Sequence, residues 1–576
     1  MVDREIRQYS QVNPRRTVEI HLPDGRVFRG PRNSPVGEFF KTILDPGAVP
    51  IVGAIVNGEL RELTYPIKID SMVSPISMSD EDGMRIYRRS LVFLLVAAFE
   101  SVFPDAGLTV DHSVASGGYY CQVACKHEFT AGETAQVEAK MLELVSVDLP
   151  FSRRVIPLEL AKRTFREKGE LDKVRLLAHR TKNYLTIYKL GKFYDYHHGY
   201  MVPSTGYLRW FQLVPTGEGF TLRFPRRHDP THLSQFTEYP KLLNTFRRYG
   251  DWLDLLGIAS VGALNDAIES QRIDEVILVS EALQELQVTD IAAQIYNDRE
   301  RLRVVLISGP SCSGKTTFSK RLSIQLLAHG VSPFPLAMDD YFVNRDQTPL
   351  DEDGQPDFES IRALNLDRLA NDLQCLVNGK KVILPHFDFI AGKSIQGKEI
   401  QLKSNQIIIM EGIHGLNPEL FAEIPKIHTF RIYVSALTQL NLDRYNRIST
   451  TDTRLLRRVV RDARERGYSA YQTIQRWESV RRGEKRFIFP YQENADVMFN
   501  SALAYELSAL KPLAEPLLRQ LPFGTSEYVE AKRLLAFLGW FLPIESAGIP
   551  DNSLLREFIG NSILKNFTVW SNHHTS

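Results

Sequence analysis

The sequence predicts a multidomain chain in which an α/β domain built on a doubly wound parallel sheet follows an α+β front half. Three observations carry this. The length of 576 residues exceeds what one core supports, because single cores stop growing near ~250–300 residues. The front of the chain reads as short alternating strands with Asp-Gly and Asn-Gly turns around a long amphipathic helix. Further on, the apolar run Val304 to Ser308 leads into Gly309, four residues, and then Gly314-Lys315-Thr316 at the start of a helical pattern.

Composition sets the outer bounds. An apolar content of 43% and a charged content of 24% are those of folded globular domains. A formal net charge of +1 offers no global pull toward nucleic acid, so a nucleic-acid partner is not expected. The four cysteines are too scattered for a disulfide framework, and Cys121 and Cys125 lack the second pair that a zinc site needs. The charged start "MVDREIRQYS" does not resemble a signal peptide, and "LVFLLVAAF" falls short of the ~18 apolar residues needed to span a bilayer. A cytoplasmic protein without a membrane partner is expected.

Residues 1–78 hold "TVEIHLPDGRVFRG", "AIVNGELRELTYPI" and "IKIDSMVSPIS", with "PVGEFFKTIL" as helix, which predicts a small hairpin-rich α+β unit. Residues 79–228 open on the helix "MRIYRRSLVFLLVAAFESVFP" and continue through the Gly-punctuated strands of "GLTVDHSVASGGYYCQV" and "YLTIYKLGKFYDYHHGY". Residues 229–290 are helical in pattern and free of Gly/Ser joints, so they form a packed connector. Residues 291–510 form the phosphate-loop domain. Residues 511–576 are again helical with one apolar face, and no chemistry is read in them.

The loop explains its residue types. Gly309 and Gly314 let the backbone approach phosphate oxygens, and Ser311, Ser313 and Thr317 complete the cradle. Lys315 reaches the terminal phosphate, and the Thr316 hydroxyl is placed to ligate Mg²⁺. The motif "MDDYF" puts Asp339 and Asp340 at a strand's carboxyl end, and "QIIIMEGIHGL" delivers Glu411 to the same edge. A lone acid there would be read as a helix cap; three acids beside a phosphate loop read as proton and metal handling. Phe342, Phe358, Phe387 and Phe389 offer apolar faces for a flat heterocycle, and Glu359 an acceptor for ribose hydroxyls. Arg454, Arg457, Arg458 and Arg461 recur on one helical face, which predicts a lid over phosphate rather than a solvated face or an RNA patch.

The order phosphate loop, "MDDYF", "FDFI", "EGI" and "TRLLRRVVRDARERG" resembles the uridine kinase branch of the P-loop kinases over about residues 290 to 510. The resemblance implies Asp339 as the base for a nucleoside 5′-hydroxyl, Glu411 at Mg²⁺, Glu359 at ribose, and Phe387 and Phe389 at the base. It further implies Arg454, Arg457 and Arg461 at phosphates and substrate. One departure bears on the nucleobase: where that family carries "YDFxxH", this chain has "FDFIAG", with Phe387 for the Tyr and Gly392 for the base-reading His. His386 is the candidate substitute.

The front half is similar to the N-terminal half of threonyl-tRNA synthetase, a TGS domain followed by the editing domain, through "LPDGR", "VNGEL", "FPDAGLTV", "GGYY" and "VPSTG". The positions matching that family's editing histidines and cysteine are Arg89, Phe93, His197 and Met201. A guanidinium, a phenyl ring and a thioether do not position water or metal as three imidazoles and a thiol do. The half is therefore read as a retired editing module kept for structure, dimerisation or ligand sensing.

The expected activity is transfer of the γ-phosphate of ATP, or GTP, with Mg²⁺, to the 5′-hydroxyl of a nucleoside, uridine or cytidine first, in nucleotide salvage. Lys315 and Arg457 assist Asp339 in catalysis, Arg461 joins the cofactor loop, and Arg454 and His386 join the substrate site. The rivals are a purine nucleoside or phosphorylated sugar as acceptor, and an RNA-binding nucleotide switch. A homo-oligomer is compatible with the sequence.

Overall fold

The computed structural model describes residues 13–43, 49–114, 116–351, 354–388, 391–403, 405–421 and 429–569. In the first unit a five-stranded sheet takes the order Val27–Pro31, Thr17–His21, Ser71–Ser77, Ile51–Val56, Glu59–Glu62. Helix Val36–Lys41 buries Phe39 and Phe40 against it, alongside Ile20 and Ala54. The Asn57-Gly58 turn has φ of 49° and 80°, the left-handed pair that a tight hairpin needs and that Asn-Gly supplies at little strain.

The second unit is organised by helix Glu81–Val102. The run Leu91 to Phe99 is buried along its whole length, because a four-stranded sheet (Gln212–Thr216, Gly219–Arg223, Gly118–Ala124, Gly107–Val114) and helix Ala131–Val147 pack around it. A second sheet of Phe193–Asp195, Tyr184–Leu190 and Ser152–Pro157 completes the unit.

Helices Pro240–Leu256, Val261–Glu269 and Ile273–Asn297 form the connector. The last runs past residue 290 and lies on the phosphate-loop helix Lys315–Ala328, where Arg321 pairs with Glu285 at 2.6 Å. The connector and the rear domain thus share one core, and a boundary at 290 falls inside a helix.

The rear domain is built on an all-parallel five-stranded sheet in the order Ser332–Ala337, Gln406–Glu411, Val304–Ser308, Thr429–Ser435, Val497–Asn500. Val305 and Ile307 point into the core with Phe318 and Leu322, while Val304 and Leu306 point into the opposite one with Leu336 and Met410. Burial on both faces is why these strands read as continuous apolar runs. The segment "VILPHFD" forms Val382–Asp388 of an antiparallel ribbon with Lys393–Ile400.

Helices Glu506–Leu518 and Ser526–Leu538 and the segment to residue 569 wrap back over the other units. Glu530 pairs with Arg85 of the long front helix at 2.7 Å, and Arg533 pairs with Asp452 at 2.7 Å. No helix among the described residues is long and apolar enough to cross a membrane.

Candidate active site

The carboxyl edge of the parallel sheet gathers most of the expected residues. Register places Glu411 beside both Ile307, at the end of the central strand, and Ala337, one residue before Met338-Asp339. The loop leaves the central strand at Gly309, where a Cβ would lie 2.0 Å from the Val434 carbonyl oxygen, so only glycine lets the chain pass. Gly314 begins the helix at φ 87°, and Cys312 is also left-handed, which turns successive amides inward as an anion nest. Ser313 lies inside the cradle with its hydroxyl buried and unpartnered. Lys315 Nζ donates to the carbonyls of Gly309 at 2.9 Å and Pro310 at 3.1 Å, and so lies back over the loop.

Thr316 Oγ1 donates to Glu411 Oε1 at 3.1 Å, while Glu411 Oε2 is buried without a partner. Burial pushes the Glu411 carboxyl up to about 7, against the pull of Lys315. A hydroxyl beside an unsatisfied carboxylate is the donor set a hard divalent cation takes, so the residues fit Mg²⁺. The Asp339 carboxyl faces the cleft and is raised by desolvation, with Lys315 opposing and Asp340 reinforcing the shift. Asp340 does different work: its Oδ1 accepts from Phe387 N at 3.2 Å and bonds His386 Nδ1 at 2.9 Å, which fastens the ribbon to the sheet edge.

On the acceptor side, Phe387 is buried and meets Phe342 with ring centroids 5.7 Å apart, whereas Phe358 is 45% exposed. Phe389 lies outside the described residues. His386 is exposed apart from its bond to Asp340. Glu359 packs against Gly483, where a Cβ would come within 2.2 Å of its own Cβ. Its carboxyl is pushed up to about 7 by burial and by Glu484, with Arg458 and Lys315 opposing and Asp339 adding to the rise. Gly392 has φ 66°, and the space its side chain would take is filled by Arg345, at 2.9 to 3.0 Å from an ideal Cβ.

On the arginine helix Thr450–Arg461, Arg454 and Arg457, expected at the substrate and in catalysis, do not stand on an open face. Both side chains are almost wholly buried and neutralised by carboxylates. Arg454 Nη2 meets Glu484 Oε2 at 2.8 Å and its Nη1 donates to the Ser311 carbonyl at 3.0 Å. Arg457 Nε meets Glu506 at 2.8 Å and its Nη1 reaches the Cys312 carbonyl at 3.3 Å. They brace the phosphate loop from behind. Arg458 donates to Ser311 Oγ at 3.0 Å, and Arg461 is half-buried against Asp462 at 2.7 Å.

The tail, in which no chemistry was read, reaches the loop. Glu557 Oε2 accepts from Thr317 Oγ1 at 2.7 Å and from Thr317 N at 3.3 Å, and the Leu554 side chain lies over Gly314. Lys320 donates to the carbonyls of Leu564 and Lys565. Glu484, also missed, accepts from the Ser311 amide at 3.1 Å and is held below the usual carboxylate range by Arg454 and Arg481 in spite of its burial. Nothing in the local sequence marks either acid as a loop partner.

In the second unit Arg89, Phe93, His197 and Met201 converge. The Phe93 and His197 rings are 5.3 Å apart, Arg89 Nη1 donates to the Tyr200 carbonyl at 2.7 Å, and Ser90 Oγ donates to Met201 Sδ at 3.5 Å. His197 and His198 are both kept neutral by burial. Among the described residues no group of three metal-ligating side chains exists.

Residues 304–508 match the model of the Phosphoribulokinase / Uridine kinase family. The C-terminal domain belongs to that family. It is a P-loop kinase domain, that of a phosphotransferase. The front half matches threonine–tRNA ligases: that of Polaromonas sp. (strain JS666) is 34% identical over 198 residues, covering 34% of this chain and 31% of the ligase. That of Carboxydothermus hydrogenoformans is 27% identical over 260 residues, covering 42% and 41%. The chain thus spans about a third of the length of the first of these relatives. Among solved structures, a possible uridine kinase from Bacillus stearothermophilus aligns with TM-score 0.24 at 19% identity, covering 34% of this chain and 89% of that one. D-glycerate 3-kinase from Cryptococcus neoformans var. grubii aligns with TM-score 0.27 at 14% identity, covering 37% and 89%.

Proposed function

We propose that the kinase domain transfers the γ-phosphoryl group of ATP, or GTP, to the 5′-hydroxyl of a nucleoside, a pyrimidine nucleoside first, as a step of nucleotide salvage in the cytoplasm. The observation that carries this is the convergence of Lys315, Thr316, Asp339, Glu359 and Glu411 on one edge of the parallel sheet. When bound, the Mg²⁺–nucleotide supplies the electrophilic phosphorus and the leaving group. Glu411 and Thr316 hold the metal. Lys315 turns from the Gly309 and Pro310 carbonyls to the terminal phosphate. Asp339 takes the proton of the acceptor hydroxyl, and its raised basicity suits that task near neutral pH. Glu359 accepts from a ribose hydroxyl, while Phe342 and Phe387 wall the base. Arg458 and Arg461, the least enclosed of the lid arginines, neutralise the transferring group; Arg454 and Arg457 are positioning residues that set the loop.

A second reading, a purine nucleoside as acceptor, is favoured by one observation: Arg345 occupies the space vacated at Gly392, and a guanidinium fork suits the paired acceptors of a guanine edge. The test is incubation of the full chain with ATP, Mg²⁺ and uridine, cytidine, inosine, guanosine, adenosine or thymidine, with ADP release followed and the 5′-monophosphate confirmed by mass. Turnover on uridine or cytidine is expected. Turnover confined to guanosine or inosine moves the assignment to purines, and none on any nucleoside removes it.

A further inference from the structure

Between the second unit and the kinase domain lie two adjoining cavities of about 260 and 340 Å³. They share Arg88, Tyr119, Arg447, Ser449, Arg481 and Lys485 as walls. No residue of the phosphate loop, nor Asp339 or Glu411, lines either one, so this space is separate from the kinase site.

Its charges do not balance. Three acids line it, and each is already committed: Glu81 to Arg85, Asp452 to Arg533 and Glu478 to Arg227. Arg481 pairs with Glu484 behind the wall at 3.1 Å. Arg88, Arg89, Arg447 and Lys485 remain, and among the described residues none of the four has a carboxylate partner. Arg89 and Arg447 spend one nitrogen each on a backbone carbonyl, of Tyr200 and Ile448. The Nε atoms of Arg88 and Arg447 are buried with no hydrogen-bond partner. Removing guanidinium groups from water without an anion is costly, and a folded chain that does so keeps a place for one.

Geometry adds direction. Arg88 lies over the Phe224 ring at 4.7 Å and Arg447 over the Tyr119 ring at 5.0 Å, which holds both guanidinium planes in place. Ser449 caps the helix Thr450–Arg461, and that helix's first residues line the larger cavity, so its positive end points the same way as the arginines. Burial, with Arg481 and Arg227 nearby, brings Lys485 down to about 8, against the opposing pull of Glu478 and Glu81. The volume suits a small molecule, and the walls come from both the second unit and the kinase domain.

We propose that this interdomain cavity is a second anion site, distinct from the phosphate loop, that binds a small phosphorylated molecule through Arg88, Arg447 and Lys485. It stands one carboxylate away from the kinase: Arg481 in its wall holds Glu484, which holds the Ser311 amide of the loop.

The test uses inorganic pyrophosphate as probe and the full chain carrying Lys315→Ala, which removes the competing lysine of the phosphate loop. Calorimetric titration is expected to show saturable binding. Arg88→Gln and Arg447→Gln, each added to that background, are expected to weaken it at least about tenfold, the worth of a charge-assisted contact. Arg88→Lys is expected to keep most of it. The melting temperature in chloride buffer without pyrophosphate is expected to hold or rise in the Gln variants, because a repelled charge is gone. Absence of binding in the Lys315→Ala chain, or equal affinity with and without Arg88 and Arg447, overturns the proposal. So does a loss in which Gln and Lys variants melt early alike and bind normally per folded molecule. Displacement of pyrophosphate by a tRNA 3′ end but by no phosphorylated small molecule assigns the cavity to RNA and overturns it too.

Discussion

The sheet edge of the kinase domain and the converged pocket of the second unit differ in what their side chains leave unsatisfied. At the sheet edge Glu411 keeps a buried oxygen without a partner, and burial raises the carboxyls of Asp339, beside Lys315, and of Glu359. In the second unit two of the four converged positions are packed apolar: Phe93 packs edge-on against Phe151 at 5.7 Å and Phe193 at 4.9 Å, and Met201 is buried beneath Ser90, while Arg89 and His197 line the interdomain cavity. Chemistry needs polar atoms with unspent valences aimed at space. Packing consumes that space and spends those valences on stability instead.

The comparison is broken most directly at Asp339. Asp339→Asn is expected to lower turnover by about 10²–10⁴, the usual worth of a positioned base, with nucleotide affinity nearly unchanged. Steady-state ADP release set beside nucleotide titration checks it, and near-full turnover would remove the base assignment. On the other side, Phe93→Ala removes a fully buried ring and is expected to cost about 3–5 kcal/mol of stability with kcat intact below the melting transition. A loss of kcat at unchanged stability would show that this packing is coupled to the kinase site.

A subtler contrast concerns pH. Glu359 is raised to about 7 in the folded chain, so the folded state binds more protons than the unfolded one between the ordinary carboxylate range and 7. Its penalty is absent at pH 4 and grows as pH rises through 7. Glu359→Gln is therefore expected to stabilise the protein at pH 8, by up to about 3 kcal/mol, and not at pH 4, while weakening nucleoside binding. Chemical denaturation at the two pH values reads this. The smallest effect is expected at Glu557, whose carboxylate accepts from the Thr317 amide at the start of the loop helix. Glu557→Gln is expected to tighten nucleotide binding about two- to fivefold, the worth of one charge at a helix N-terminus, and weaker binding would make Glu557 a helper instead of a competitor.

Much of this architecture was legible in the sequence because its signals are local. The Asn57-Gly58 turn, the apolar run of Glu81–Val102, the strand Val304–Ser308 and the glycines of the loop each declare themselves within a few residues. Asp339 and Glu411 were legible as a pair because α/β sheets bring strand ends together. The pairing of the lid arginines was not legible, for the complementary reason. Four arginines at helical spacing do share a face, but that face meets Glu484 and Glu506, and only the packed structure shows that two of them are spent there. The connector boundary was likewise invisible, since one continuous helix serves both neighbours.

The sequence by itself determined the elements and the phosphate loop with its acids, since these rest on periodicity, turn chemistry and spacing along the chain. The tertiary structure alone decided which charges are spent and which are left over. Thr317 meets Glu557 across 240 residues and Arg85 meets Glu530 across 445, and such pairings follow from which faces the cores bring together. Burial then sets the cost of every charge left unpaired, which is why Glu359, Glu411 and the arginines of the interdomain cavity acquire their meaning only in the folded chain.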